Sequence, residues 1–248
     1  MDNKLIIKEY IKKKLLENYK EIDNINNLAT FLLTEYGKIL YGRLNKPKPV
    51  GSIFNYEILF NKNMLKLSTN DDFKKFLLYC IGSKSKIKFV SINKSVAYRE
   101  GNDIVINLND IKNLLLSNLS KPQEEFISII KDNLLNILSH ELTHLYEHYF
   151  RGGKEIVSKN TLKTMNSVNP NDIQSKIDYT NLPHEFRSYF SGALSEIIKE
   201  IPNFKTFNEF YDKIMSGKFN KSLSYLNDKN NKKFLKMLSY VWDKFKNQ

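Results

Sequence analysis

Ser139-His-Glu-Leu-Thr-His144 decides how this chain is read. It lies in a run from Pro122 to Phe150 where Phe126, Ile130, Leu134, Ile137, Leu138 and Leu145 recur at helical spacing. Glu124 and Glu125 occupy the first turn, where the helix dipole favours acids, and Arg151-Gly-Gly153 ends the run. On a helix, His140 and His144 are separated by about 6 Å of rise and about 40° of rotation, so both imidazoles reach one ion above the same face. Glu141 lies about 100° round from His140 and reaches a water on that ion without being a ligand. Polar groups set beside an apolar stripe need partners, and a metal supplies them. The other two histidines, His148 and His184, are also close in sequence, although histidines exposed on a helix by chance are the plain alternative.

A catalytic zinc ion has three protein ligands and an open position for water. His148 and Glu147 share roughly the same face, but His148 stands about 12 Å along the axis from His140, too far to share an ion. They read as surface groups or as support for the ligands. Glu185 is the better third ligand, because it sits in the first turn of a later helix that can fold back after a long excursion. A carboxylate is favoured at a helix N-terminus without any metal, so both readings of Glu185 stand. The single cysteine, Cys80, lies among Phe76, Leu77, Leu78 and Ile81 and reads as a small buried thiol.

Outward from the motif, the first fifty residues read as two helices. One carries Leu5, Ile6, Tyr10, Ile11, Leu15 and Tyr19 on a face, and the other runs from Leu28 to Leu44 before Lys46-Pro-Lys-Pro49. Residues 50–70 carry no clear pattern, and Asp71-Asp72 before Phe73 predicts a short helix to Ile81. From Lys86 the period changes to two. Ile87 and Phe89 begin an extended segment, Val96 and Tyr98 alternate before Glu100-Gly-Asn-Asp103, and Ile104, Ile106 and Leu108 alternate after it, predicting a hairpin over about 86–108.

Residues 154–180 are polar and irregular, with Asn169-Pro-Asn171 as a turn; a loop of that length in a compact protein is usually functional or mobile. Asn181-Leu-Pro-His-Glu185 opens a helix with Phe186, Phe190, Ala193, Leu194, Ile197 and Ile198 as its stripe, and helices over Phe204–Met215 and Lys221–Phe245 follow. The expected class is α+β and mainly helical, with the small sheet packed on the histidine-bearing helix and a second helix bearing the glutamate. An N-terminal helical segment (1–48), a core (50–200) and a C-terminal helical segment (201–248) are expected, either separate or as one continuous domain.

At this point the residues resemble a family. His140-Glu-Leu-Thr-His144, with Glu185 on a separate downstream helix, is similar to the gluzincin arrangement of zinc metallopeptidases. Thr180-Asn-Leu-Pro-His-Glu-Phe-Arg-Ser-Tyr189 resembles the Pro-x-Glu-x-Arg-Ala-Tyr element of small metallopeptidase-like proteins of phages and bacteria, with Ser188 where Ala is common. The resemblance covers roughly residues 95–200 and is specific at these two motifs. It implies a zincin-like core, with one Zn2+ per chain on His140, His144 and Glu185. It also implies a polypeptide substrate beside an edge strand of the hairpin, with Glu141 as general base. Either His184 or Tyr179 would stabilise the oxyanion; Tyr189 and Arg187 are further candidates, for which a buried structural role and a salt bridge, respectively, are equal alternatives. The alternative is a catalytically silent metallopeptidase-like protein, structural or interacting, such as a component of a virus particle. A zinc hydrolase acting on a non-peptide amide uses the same motif.

The formal charge of +12 raises nucleic acid as a partner, but its distribution argues otherwise. Residues 1–50 carry +4 and residues 201–248 carry +6, leaving the middle almost neutral, and only four of the 39 basic residues are Arg. Planar, bidentate recognition of phosphate favours Arg, so nucleic acid is not expected as the main partner. The basic helical flanks suit a protein partner instead. Charge interrupts every apolar run of Met1-Asp-Asn-Lys-Leu-Ile-Ile-Lys-Glu-Tyr10, which reads as neither a signal peptide nor a membrane span. With one unpaired cysteine, a cytoplasmic protein or one packaged in a virus particle is expected.

Overall fold

The computed structural model describes residues 3–45, 54–91, 97–150, 152, 172–217 and 221–246. The side chains of 3–19, 183, 184, 195, 221, 222 and 227–231 are outside that description. Two compact units emerge, one of Glu21–Gly152 and one of Met1–Lys20 with Gly153–Gln248. The class is α+β and mainly helical, with one small mixed sheet.

In the Glu21–Gly152 unit the sheet is formed by β1 (Tyr56–Leu59), β2 (Lys86–Val90), β3 (Ala97–Glu100) and β4 (Asp103–Asn107), in the order β1-β2-β4-β3. The expected hairpin is β3–β4 alone. Its two-residue turn places Gly101 at φ +63°, the first central position, where a left-handed backbone favours glycine. β2 lies parallel to β4 on the side away from β3, and β1 adds to β2 antiparallel. Cross-strand pairing puts Ile58, Ile87, Phe89, Ile104 and Ile106 in the core. The intervening residues of β2 carry charge: Lys86 pairs with Glu57 at 2.7 Å, and Lys88 with Glu100 at 2.9 Å and Asp103 at 3.0 Å. Hydrogen bonds from Lys88 to Glu100 and then Asp103 hold its ammonium above the usual lysine range.

Two long helices build the rest of this core. α1 spans Asn3–Leu44 as one helix, where two were expected, and its part from Glu21 onward belongs to this unit. The Asn-rich stretch Glu21–Asn27 reads as a break because Asn is a poor helix former. Its asparagines instead find tertiary partners: Asn24 Oδ1 accepts from Thr69 N and Oγ1, both at 3.0 Å, and Asn26 Oδ1 accepts from Ser139 Oγ at 2.8 Å. Further along, Tyr36 stacks on Phe89 at 3.7 Å between ring centroids, with its hydroxyl donating to Phe54 O. Gly37 lets α1 approach a neighbouring helix closely, since a Cβ there would stand 2.9 Å from Ile127 Cγ1.

That neighbour is α4 (Gln123–Phe150), which packs Phe126, Ile130, Leu134, Leu138, Leu142 and Leu145 into the core beside β3 and β4. α2 (Asp71–Gly82) is capped by Asn70 rather than by the acids after it, with Asn70 Oδ1 accepting from Phe73 N at 2.7 Å. A 3-10 turn over Lys62–Leu67 and the short α3 (Lys112–Ser117) complete the unit; neither was expected.

The other unit holds α5 (Ile173–Thr180), α6 (Pro183–Glu200), α7 (Phe207–Met215) and α8 (Lys221–Phe245). α5 corrects the expectation of irregular chain through residue 180. Asp172 caps it, accepting from Gln174 N and Ser175 N, but the helix is too short to show a periodic stripe. α6 buries Phe186, Phe190, Ala193, Leu194 and Ile197, and Phe190 meets Phe234 of α8 edge-on. Phe210 of α7 packs on Trp242 of α8 at 5.3 Å. α7 starts at Phe207, later than the expected Phe204, because Thr206 and Glu209 form a capping box there.

Lys46-Pro-Lys-Pro49, Val96, Asn169-Pro-Asn171 and the remainder of the polar segment at 154–171 lie outside the described residues. So do the side chains expected to form the first helical face, Leu5 to Tyr19. Among the described residues, no helix is long and apolar enough to cross a membrane.

Candidate metal centre

The helix α4 places its two histidines as their spacing demands. The Nε2 atoms of His140 and His144 lie 3.0 Å apart, with ring centroids 4.6 Å apart and planes crossing at 82°. Leu138, Leu142 and Leu145 anchor this part of the helix in the core, while both imidazoles remain half-buried. Beside the histidine strip runs a second one, Ser139 and Thr143, also four apart and both buried. Ser139 Oγ donates to Asn26 Oδ1 of α1, Asn26 Nδ2 donates to Ile22 O at 3.1 Å, and Thr143 Oγ1 donates to Ser139 O at 2.8 Å. Apolar packing is non-directional, whereas this buried bond defines which way the helix faces. Nothing in the local sequence pairs Asn26 with Ser139, so this support was not anticipated.

Glu185 stands in the first turn of α6, which begins at Pro183 and bonds Phe186 N back to Leu182 O at 2.9 Å. The residue is 3% exposed, and Tyr179 Oη of α5 donates to its Oε1 at 2.8 Å. The structure brings His140, His144 and Glu185 together as a group able to hold a metal ion. Each offers one ligand atom, and these atoms lie within 4.8 Å of one another.

The donor set fits a metal. Two imidazole nitrogens and a carboxylate oxygen are what a borderline cation such as zinc takes. Two nitrogens at 2.0–2.1 Å from a tetrahedral ion stand about 3.3 Å apart, close to the 3.0 Å between His140 and His144. Both nitrogens can turn lone pairs to one ion when each ring carries its hydrogen on Nδ1.

Glu141 is half-buried on α4, next to the first histidine. His184 is in the first turn of α6, with its side chain outside the described residues. Tyr179 is engaged with Glu185, and Tyr189 meets the Tyr179 ring edge-on at 6.4 Å. Arg187 is half-buried. His148 and Glu147 are not part of the metal group, and Glu147 is buried rather than at the surface. Cys80 is buried in the core.

Comparison with protein-family models, with curated proteins and with solved structures gave no match.

Proposed function

We propose that this protein is a zinc-dependent metallopeptidase. The observation that carries the reading is the convergence of the ligand atoms of His140, His144 and Glu185 within 4.8 Å, on a helix that sets Glu141 beside the first of them. The two Nε2 atoms and the Glu185 carboxylate would hold one zinc per chain. When bound, zinc supplies Lewis acidity, polarising a carbonyl and lowering the pKa of water to about 7.

Glu141 is the general base in this reading. Its carboxylate takes a proton from water as the water oxygen bonds to the peptide carbonyl carbon, then gives that proton to the amide nitrogen as the C–N bond breaks. Of the two donors assigned to the oxyanion, Tyr179 already gives its single hydroxyl hydrogen to Glu185, so His184 takes the role. The apolar packing of α4 keeps the base and the two histidines in fixed relation.

Two variants test this. Glu141→Gln is expected to retain zinc at the wild-type ratio and lose peptide cleavage by at least about 100-fold; cleavage at the wild-type rate would remove Glu141 as the base. Glu185→Ala is expected to lower bound zinc per chain at limiting metal, measured by metal analysis. Unchanged stoichiometry would remove it as the third ligand. A wild-type protein that holds zinc yet cleaves nothing in a denatured-protein library would favour a structural or interaction role over turnover.

A further inference from the structure

Tyr179 is the penultimate residue of α5, and Glu185 lies in the first turn of α6. The corner between these helices is closely tied. Asn181 N bonds to Ile177 O at 3.1 Å and Leu182 N to Tyr179 O at 3.0 Å. The Asn181 side chain donates to Ile177 O at 2.8 Å and to Tyr225 O of α8 at 2.6 Å. Tyr189, one turn beyond Glu185, meets the Tyr179 ring edge-on and limits its rotation. Tyr179 thus delivers one O–H to Glu185 Oε1 from a rigid support.

A glutamate has three side-chain torsions, and a ligand that must find its orientation on each encounter binds a metal less tightly than one already held. A carboxylate has two oxygens with several acceptor directions, so a hydrogen bond at Oε1 leaves it able to ligate. We propose that Tyr179 is a positioning residue for metal binding, its hydroxyl holding the Glu185 carboxylate in a single orientation toward the ion. This rests on the metallopeptidase reading above and replaces the expectation that Tyr179 touches the reacting carbonyl. Hydrogen-bond partners of metal ligands contribute about 10- to 100-fold in affinity, which sets the size of the effect.

The test uses the full chain and zinc alone. Tyr179→Phe keeps the ring and its contact with Tyr189 and removes only the O–H. Zinc affinity, measured by competition with a chromogenic chelator, is expected to fall about 10- to 100-fold, while the zinc-free protein keeps its circular dichroism and a cooperative melting transition. A merely structural role is separated by a double-mutant cycle. Placed on Glu185→Ala, Tyr179→Phe is expected to leave the residual zinc affinity unchanged, because the group it positions is gone.

Wild-type affinity in Tyr179→Phe overturns the proposal, and so does an equal further loss on the Glu185→Ala background. Loss of the zinc-free fold in Tyr179→Phe also overturns it, since the hydroxyl would then be a structural support. A wild-type chain that takes up no zinc is a different result: it removes the metal reading itself.

Discussion

Burial pushes the Cys80 thiol up to about 12, and a hydrogen bond with Ser85 only partly opposes it. A thiol reagent reacts with the thiolate, which burial keeps scarce at this position at pH 8. The folded protein is therefore expected to resist a disulfide reagent at pH 8 and to titrate one thiol per chain once denatured. Modification of the native protein at the rate of a free cysteine would show that the core around α2 opens readily. The sign of the linked stability follows from the raised value. The contribution is fully present below the ordinary thiol pKa near 9 and is lost as pH climbs toward about 12. Individual residues of the candidate site differ in how readable they were. His140, Glu141 and His144 are four or fewer residues apart on one helix, so helix geometry alone relates them. The Tyr179–Glu185 bond depends on a corner closed by Asn181 against α8, a tertiary contact that no local spacing encodes.

At the scale of elements, long apolar periodicity was readable and tertiary compensation was not. α4 follows its stripe, α8 runs over the expected residues, and β3–β4 follows its alternation and glycine turn. β1 escaped because Leu59, 56% exposed, follows Ile58 and hides the period of two; its pairing with β2 is long-range. The parallel pairing of β2 with β4 likewise has no local signature. α1 shows the strongest override, since the stretch that reads as a break is where Asn24 and Asn26 make their buried contacts. That assigns a cost to breaking them. Ser139→Ala deletes the donor to Asn26 Oδ1 inside the core and is expected to lower unfolding free energy by about 1–3 kcal/mol in denaturant titration. Asn26→Ala should cost a similar amount. The double variant should fall short of the sum, because the two side chains share one bond. Strict additivity would show that the bond does not link α1 to α4 energetically. A rotation of α4 should also weaken zinc, so reduced metal affinity in Ser139→Ala would tie this support to the site.

Along the whole chain, most of the +12 charge lies outside the stretch that carries the candidate site: His140, His144 and Glu185 fall in its near-neutral middle. The ligands come from two helices remote in sequence, and the unfolded chain does not hold them together. On the proposed reading, zinc binds the folded state in preference, and by mass action its binding energy adds to stability. At free zinc about 100-fold above its dissociation constant the gain is about 2.7 kcal/mol. For a chain of this length each kcal/mol moves the midpoint of unfolding by about 2–4 °C. Stripping zinc with a chelator is then expected to lower the midpoint by roughly 5–11 °C, and restoring zinc to recover it. The same treatment should shift Glu185→Ala far less, because that variant retains two of the three ligands and binds weakly. Glu141→Gln should shift as wild type does, since in the proposed mechanism its side chain takes a proton rather than the ion. If chelation removes zinc by metal analysis and leaves the wild-type midpoint unmoved, the ion binds folded and unfolded chains alike. In that case the convergence of His140, His144 and Glu185 would not be its site.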